Sequence, residues 1–214
     1  MENRRHTTAD QFLIHLDGAL RTVFGRPVAT GRPDPAAACA PAALGPEERL
    51  RSGRLMRVNH AGEVAAQGLY QGQALTARRR QVRERMAESA REENDHLLWC
   101  ERRVHEAGTH LSYLGPFWYT GAFTLGALAG AAGDAWSLGF VAETERQVVQ
   151  HLDRHLARLP AHDAKGRAVL TQMREDEGRH ASQAMRLGGR ELPGPVRGLM
   201  RLASKVMTGT AYWV

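Results

Sequence analysis

Two tetrapeptides of the form Glu-x-x-His stand out, Glu93-Asn94-Asp95-His96 and Glu177-Gly178-Arg179-His180. On a helix, positions i and i+3 share a face, so each glutamate and its histidine can reach the same metal pair. One such tetrapeptide is weak, because glutamate and histidine are common on solvated helix faces. The context is more specific. Glu63 stands thirty residues before Glu93, and Glu145 thirty-two before Glu177. The order glutamate, then Glu-x-x-His, therefore occurs twice. That is the ligand pattern of di-metal carboxylate helix bundles. It marks Glu63, Glu93, His96, Glu145, Glu177 and His180 as candidate metal ligands and as the residues on which catalysis would depend.

The flanking residues point these groups inward. Met86, Ala90, Leu97 and Cys100 share the face of Glu93, and Leu170, Met173, Ala181 and Ala184 that of Glu177. Leu138, Val141, Ala142, Val148, Val149 and Leu152 surround Glu145. A buried, unpaired carboxylate is costly and shifts its pKa to stay neutral. Four carboxylates, two neutral imidazoles and two divalent ions sum to zero charge, which removes the difficulty. The plainer alternative pairs the glutamates with arginines such as Arg91, Arg146 or Arg174. Hard oxygen donors without thiolate suit iron or manganese better than structural zinc, and the residues do not separate those two metals.

Such ligands need long helices to hold them. The spacing predicts a first bundle helix from Pro46 to about Arg79 and a second from Gln81 to about Ala107. A third runs from near Phe117 to Leu159. A fourth is capped by Asp163 and closed by Gly188-Gly189. Two amphipathic helices flank this all-α, four-helix bundle. One spans 8–24, with Phe12, Leu16, Leu20 and Val23 on one side. The other spans 196–207, with Val196, Leu199, Met200, Ala203, Val206 and Met207 on one side and Arg197, Arg201 and Lys205 on another. Residues 25–46 are rich in proline, glycine and alanine and read as a linker with no packed structure required. Three units follow: 1–45 as N-terminal helix and linker, 46–190 as the bundle, and 191–214 as a membrane-associating segment.

The formal net charge is +6, which attracts anionic partners. The cations are spread along the chain, with no zinc-finger spacing and no aromatic strand pattern, so nucleic acid is not an expected partner. Cys39 and Cys100 lack a short-range pairing pattern and suit a reducing compartment. Glu2, Asp10 and Asp17 make the N-terminus a poor presequence, and no secretory apolar core is present. The longest apolar stretch, Leu111 to Ala142, is interrupted by Pro116, glycines and Asp134. It suits either a buried bundle helix or a membrane-facing one.

The stretch Val58-Asn59-His60-Ala61-Gly62-Glu63, with Glu92-Glu93-Asn94-Asp95-His96 and Asp176-Glu177-Gly178-Arg179-His180, resembles the motifs of the demethoxyubiquinone hydroxylases of ubiquinone biosynthesis. The resemblance covers about residues 50–214. It implies a ferritin-like bundle in which the six residues bind two Fe2+ ions, with Glu93 and Glu145 as bridges. The implied reaction is dioxygen-dependent hydroxylation of the ring of a polyprenylated demethoxyubiquinol, with NADH as a candidate reductant. No Gly-rich dinucleotide fingerprint follows a strand here. It also implies a peripheral protein on the cytoplasmic face of a bacterial cell membrane, with the lipid quinol and the membrane surface as partners. Other ubiquinone-biosynthesis proteins and a second copy of the chain are further candidate partners. The resemblance places His151 near the substrate, where it hydrogen-bonds a quinol oxygen or is a second-layer or surface histidine. Other ferritin-like proteins share the ligand pattern: manganese catalases, rubrerythrin-like peroxidases and iron-storage proteins.

Overall fold

The computed structural model describes residues 8–214. Glu2 falls outside them, as does the side chain of Phe12. Seven helices follow in order: α1 Thr8–Phe24, α2 Pro46–Thr76, α3 Arg80–Glu106, α4 Gly115–Ala131, α5 Asp134–Arg158, α6 Ala164–Arg186 and α7 Gly194–Ala211. No strand occurs among the described residues, so the protein is all-α. Helices α2, α3, α5 and α6 form the bundle: α2 lies against α3, α5 against α6, and α3 against α6.

Local chemistry sets the ends of these helices. Pro46 opens α2, where its missing N–H is not needed. Asp163 accepts a hydrogen bond from the Gly166 amide at 3.0 Å and caps α6. The single long third helix expected from the sequence is two helices, α4 and α5. They part at Gly133, whose φ of +119° lies in a region open to glycine. The next residue, Asp134, accepts hydrogen bonds from the Arg78 and Arg79 amides at 2.9 and 2.8 Å. The break thus lets the start of α5 satisfy the exposed amides at the start of α3.

Glycines on both α2 and α4 let the two helices approach backbone to backbone. A Cβ at Gly68 would collide with the Tyr119 carbonyl, one at Gly72 with the Phe123 carbonyl, and one at Gly126 with the Leu69 carbonyl. The outer face of α4 exposes Phe117, Leu125 and Leu128. The interrupted apolar stretch is thus buried on one side and open on the other. No described helix is long and apolar enough to cross a membrane.

Two apolar clusters fill the bundle. Leu55, Met56, Trp99, Cys100, Leu152, Leu170 and Met173 belong to one. Tyr70, Val82, Met86, Leu138, Ala142 and Ala184 belong to the other. Each fully buried leucine contributes about 1.5–3 kcal/mol. The polar layer that holds the six candidate ligands lies between the two clusters in chain register.

The 25–46 segment corrects the linker expectation. It docks onto the bundle, with Ala36 only 1% exposed in the first cluster. Thr30 donates from its amide and hydroxyl to Asp95 at 2.8 and 2.5 Å. Cys39 and Cys100 are both free thiols, the latter buried.

Candidate metal centre

The six ligand candidates come from all four bundle helices. Glu63 is on α2, Glu93 and His96 on α3, Glu145 on α5, and Glu177 and His180 on α6. None is more than 4% exposed. Their donor atoms gather into two groups, each with its atoms within 4.8 Å of one another. The first holds Glu63, Glu93, His96 and Glu177, and the second Glu93, Glu145, Glu177 and His180. Glu93 and Glu177 belong to both. Glu145 belongs to one only, which departs from the expectation that it shares the bridging role with Glu93. The reason lies in the packing: α3 and α6 meet across the bundle, so the glutamates of the two Glu-x-x-His motifs occupy its middle.

Both imidazoles turn Nδ1 toward this middle. His96 Nδ1 lies 2.8 Å from Glu93, 3.2 Å from Glu177 and 3.8 Å from Glu63. His180 Nδ1 lies 3.1 Å from Glu93 and 3.2 Å from Glu177. The outer nitrogens are held in a crossed arrangement. His96 Nε2, on α3, meets Asp176 of α6 at 3.0 Å, and His180 Nε2, on α6, meets Glu92 of α3 at 2.7 Å. Donation of Nε2–H to a carboxylate leaves the Nδ1 lone pair free for a cation and makes it more basic. A cavity of about 420 Å³, lined among others by Arg32, Glu92, Asp176 and Arg179, opens beside both outer carboxylates.

The electrostatics of the protein groups are those of a cation site. Burial, reinforced by Glu93, holds the Glu63 carboxyl well above the usual carboxylate range. Burial, reinforced by Glu177 and Glu93, does the same to Glu145. Burial opposes ionisation of His180, but its hydrogen bonds to Glu177, Glu92 and Glu93 outweigh that and raise its pKa to about 12. Burial also opposes ionisation of Glu93, yet His96 and His180 hold its carboxyl well below the usual range. Such clustering of perturbed acids marks functional sites.

Two divalent ions fit this donor set. Among the described residues no arginine or lysine pairs with any of the four glutamates: Arg146 pairs with Glu191 and Arg174 with Asp153. Glu93 Oε1 is buried, with His180 Nδ1 3.1 Å away. Four carboxylates and two imidazoles form a hard oxygen and nitrogen set, suited to first-row divalent metals.

Several residues had no role assigned from the sequence. Tyr70 is fully buried and its hydroxyl donates to Glu145. It lies two helical turns beyond Glu63 on α2, a weak signal by itself. Glu92 and Asp176 had a clearer one, since each Glu-x-x-His is preceded by a second acid. His151 joins neither ligand group. It is half-buried, its ring lies 3.8 Å from that of His155, and its Nε2 is buried without a partner. His155 Nδ1 in turn meets Asn59 Oδ1 at 3.0 Å, one turn before Glu63.

The family model described as "Ubiquinone biosynthesis protein COQ7" matches residues 51–211. The chain belongs to the COQ7 family. It is 62% identical to a 3-demethoxyubiquinol 3-hydroxylase of Nitrosococcus oceani, over all of both chains. It is 54% identical to one of Nitrosospira multiformis, over 96% of this chain and 98% of that one. It is 53% identical to one of Xanthomonas oryzae pv. oryzae, over 98% of this chain and 96% of that one. All six ligand candidates fall inside the COQ7 match, whereas the docked 25–46 segment lies before it.

Proposed function

We propose that this protein is a di-iron monooxygenase that hydroxylates the ring of a polyprenylated demethoxyubiquinol in ubiquinone biosynthesis. One observation supports this above all: two buried carboxylate and imidazole groups that share Glu93 and Glu177, in a chain whose relatives bear the name of that hydroxylase. Glu63, Glu93, His96 and Glu177 would hold one ion, and Glu93, Glu145, Glu177 and His180 the other. Two ferrous ions held there would supply the one-electron chemistry that lets triplet dioxygen react with a closed-shell ring. One oxygen atom would enter the ring C–H bond and the other would leave as water, with two electrons from a reductant and two protons. NADH is a candidate for that reductant.

The protein's own groups do the rest. Tyr70 holds the Glu145 carboxylate in place through its hydroxyl. Asp176 and Glu92 hold the two imidazoles with Nδ1 inward. The buried walls of Leu97, Val141, Ala142 and Met173 keep bulk water from the reacting groups. His151, with a free Nε2 beside the Asn59–His155 pair, is our candidate for the hydrogen bond to a quinol oxygen.

A polyprenylated substrate resides in a bilayer, and the accessory helices suit a membrane surface. Leu13, Ile14, Leu16, Leu20 and Phe24 of α1 are exposed, as are Phe117, Leu125 and Leu128 of α4 and Leu199, Leu202 and Val206 of α7. These helices adjoin one another: α1 touches α4, and Trp118 of α4 shares an apolar cluster with Ala211 of α7 and Val58 of α2. Apolar residues interleaved with Arg197, Arg201 and Lys205 favour an anionic leaflet. We place the protein on the cytoplasmic face of a bacterial membrane.

The test is oxygen-dependent turnover. Purified protein is assayed for iron, reduced, and mixed with a short-tailed demethoxyubiquinol under dioxygen, with mass spectrometry of the quinone. Two irons per chain and a product one oxygen heavier are expected. Two metals without that product would shift the assignment to peroxide chemistry or storage.

A further inference from the structure

Residues 28–36 cross the outside of α3 and α6 as a strap. The Asn94 amide donates to the Val28 carbonyl at 2.9 Å. Thr30 is tied to Asp95, and Asp34 accepts from Arg102 at 3.2 Å. Between these ties, Arg32 places its guanidinium over the Trp99 ring, 5.1 Å from the centroid. Its Nη2 donates to Asp176 Oδ2 at 2.5 Å. That same oxygen accepts from His96 Nε2 at 3.0 Å. A continuous chain of hydrogen bonds thus runs from a residue outside the bundle to one candidate metal ligand.

The other imidazole is held differently. Its partner Glu92 is gripped by Arg179, a residue of α6 itself. The two halves of the centre, alike in their ligands, are therefore unlike in what braces them.

We infer that Arg32 is a positioning residue for the metal held by His96, so that the N-terminal strap is a working part of one half of the centre. This rests on the metal-site assignment made above. The physical reason is direct. Asp176 is fully buried, and Oδ2 is fixed between Arg32 Nη2 and His96 Nε2. Without Arg32, the only hydrogen bond left to Oδ2 is that of His96 itself, and Arg179 and Gln172 hold only the other oxygen, Oδ1. The adjoining cavity then lets water compete for Oδ2. His96 loses the rigid acceptor that sets its tautomer and ring orientation. Loss of such an outer partner lowers metal affinity by about 10–100-fold. Among the described residues no hydrogen bond joins Arg32 to Glu92 or His180, and Arg179 still holds Glu92 when Arg32 is replaced, so the other half should be spared.

The experiment is anaerobic titration of the full-length, metal-free protein with Mn(II), read by calorimetry and by electron paramagnetic resonance. Wild type should bind two ions and show the signal of a coupled pair. Arg32→Gln should keep one ion at wild-type affinity and bind the second about 10–100-fold more weakly, with an isolated-ion spectrum at one equivalent. Arg32→Lys, which keeps the cation but not the planar guanidinium stacked on Trp99, should fall between them. Thr30→Val cuts a different tie of the same strap and should leave the isotherm unchanged. An unaltered isotherm in Arg32→Gln overturns the inference. So does equal weakening of both ions, or equal weakening by Thr30→Val, which would mean that the strap merely steadies the fold. Failure of wild type to take up two ions would instead refute the metal-site assignment.

Discussion

Glu63 and Glu177 are both buried glutamates of the same centre, yet the geometry assigns them unequal weight. Glu177 contributes to both donor groups and Glu63 to one. Replacing each by alanine should therefore remove one ion's stabilisation in Glu63→Ala and two in Glu177→Ala. At free metal of a hundred times Kd, each bound ion stabilises the folded chain by about 2.7 kcal/mol, so the pair contributes about 5.4 kcal/mol. For a chain of this size about 1 kcal/mol moves Tm by about 2–4 °C, so each ion is worth roughly 5–11 °C. The assay is calorimetric Tm with and without Mn(II) or Fe(II) under argon. Only the metal-induced increment is compared, because each substitution also leaves a cavity that affects both forms of the same variant. Glu63→Ala should retain about half of the wild-type increment and Glu177→Ala almost none. Equal increments in the two variants would refute the assignment of Glu177 to both positions.

Three further outcomes follow from particular contacts. Gly72→Leu drives a side chain into the Phe123 carbonyl and should lower stability by about 1–3 kcal/mol or more, read as a drop in the urea midpoint; an unchanged midpoint would show that α4 does not depend on this close approach. Leu199→Asp with Val206→Asp, on the exposed face of α7, should weaken binding to anionic phospholipid vesicles by about tenfold or more, since each buried aliphatic side chain contributes about 1.5–3 kcal/mol. Unchanged sedimentation with vesicles would exclude α7 as the contact. Burial, with Arg154 and Arg158 nearby, lowers the His151 pKa to about 4. A group depressed on folding stabilises the protein above its unfolded value near 6.5 and loses that stability as pH falls toward 4. Wild type should therefore lose more stability than His151→Gln between pH 7 and pH 4.5, and parallel losses would show that His151 stays solvated.

Periodicity and capping were enough to place most of the fold. Asp163 and Pro46 mark helix ends by chemistry local to them, and the apolar faces around Glu93, Glu145 and Glu177 are buried as their spacing implies, save for the half-buried Ala90, Val148 and Val149. The division of α4 from α5 was less legible. Gly133 is one glycine in a stretch full of them, and what singles it out is Asp134 meeting two amides more than fifty residues away. The linker expectation failed for a similar reason. Repeated proline and glycine disfavour a helix, but they do not exclude docking, and Ala36, Thr30 and Arg32 dock by filling sites that other helices create.

The six ligand candidates were set by sequence alone, because helical repeat fixes which residues share a face and two copies of one pattern are hard to place elsewhere. Which carboxylates are shared was decided only by tertiary structure. The contact of α3 with α6 puts Glu93 and Glu177 between both imidazoles and leaves Glu145 at one side. The same holds for Asp176, Glu92, Tyr70 and Arg32. Each acts on a group 75 to 144 positions away, and hydrogen bonds across such separations depend on how helices pack, which no local pattern of residues encodes.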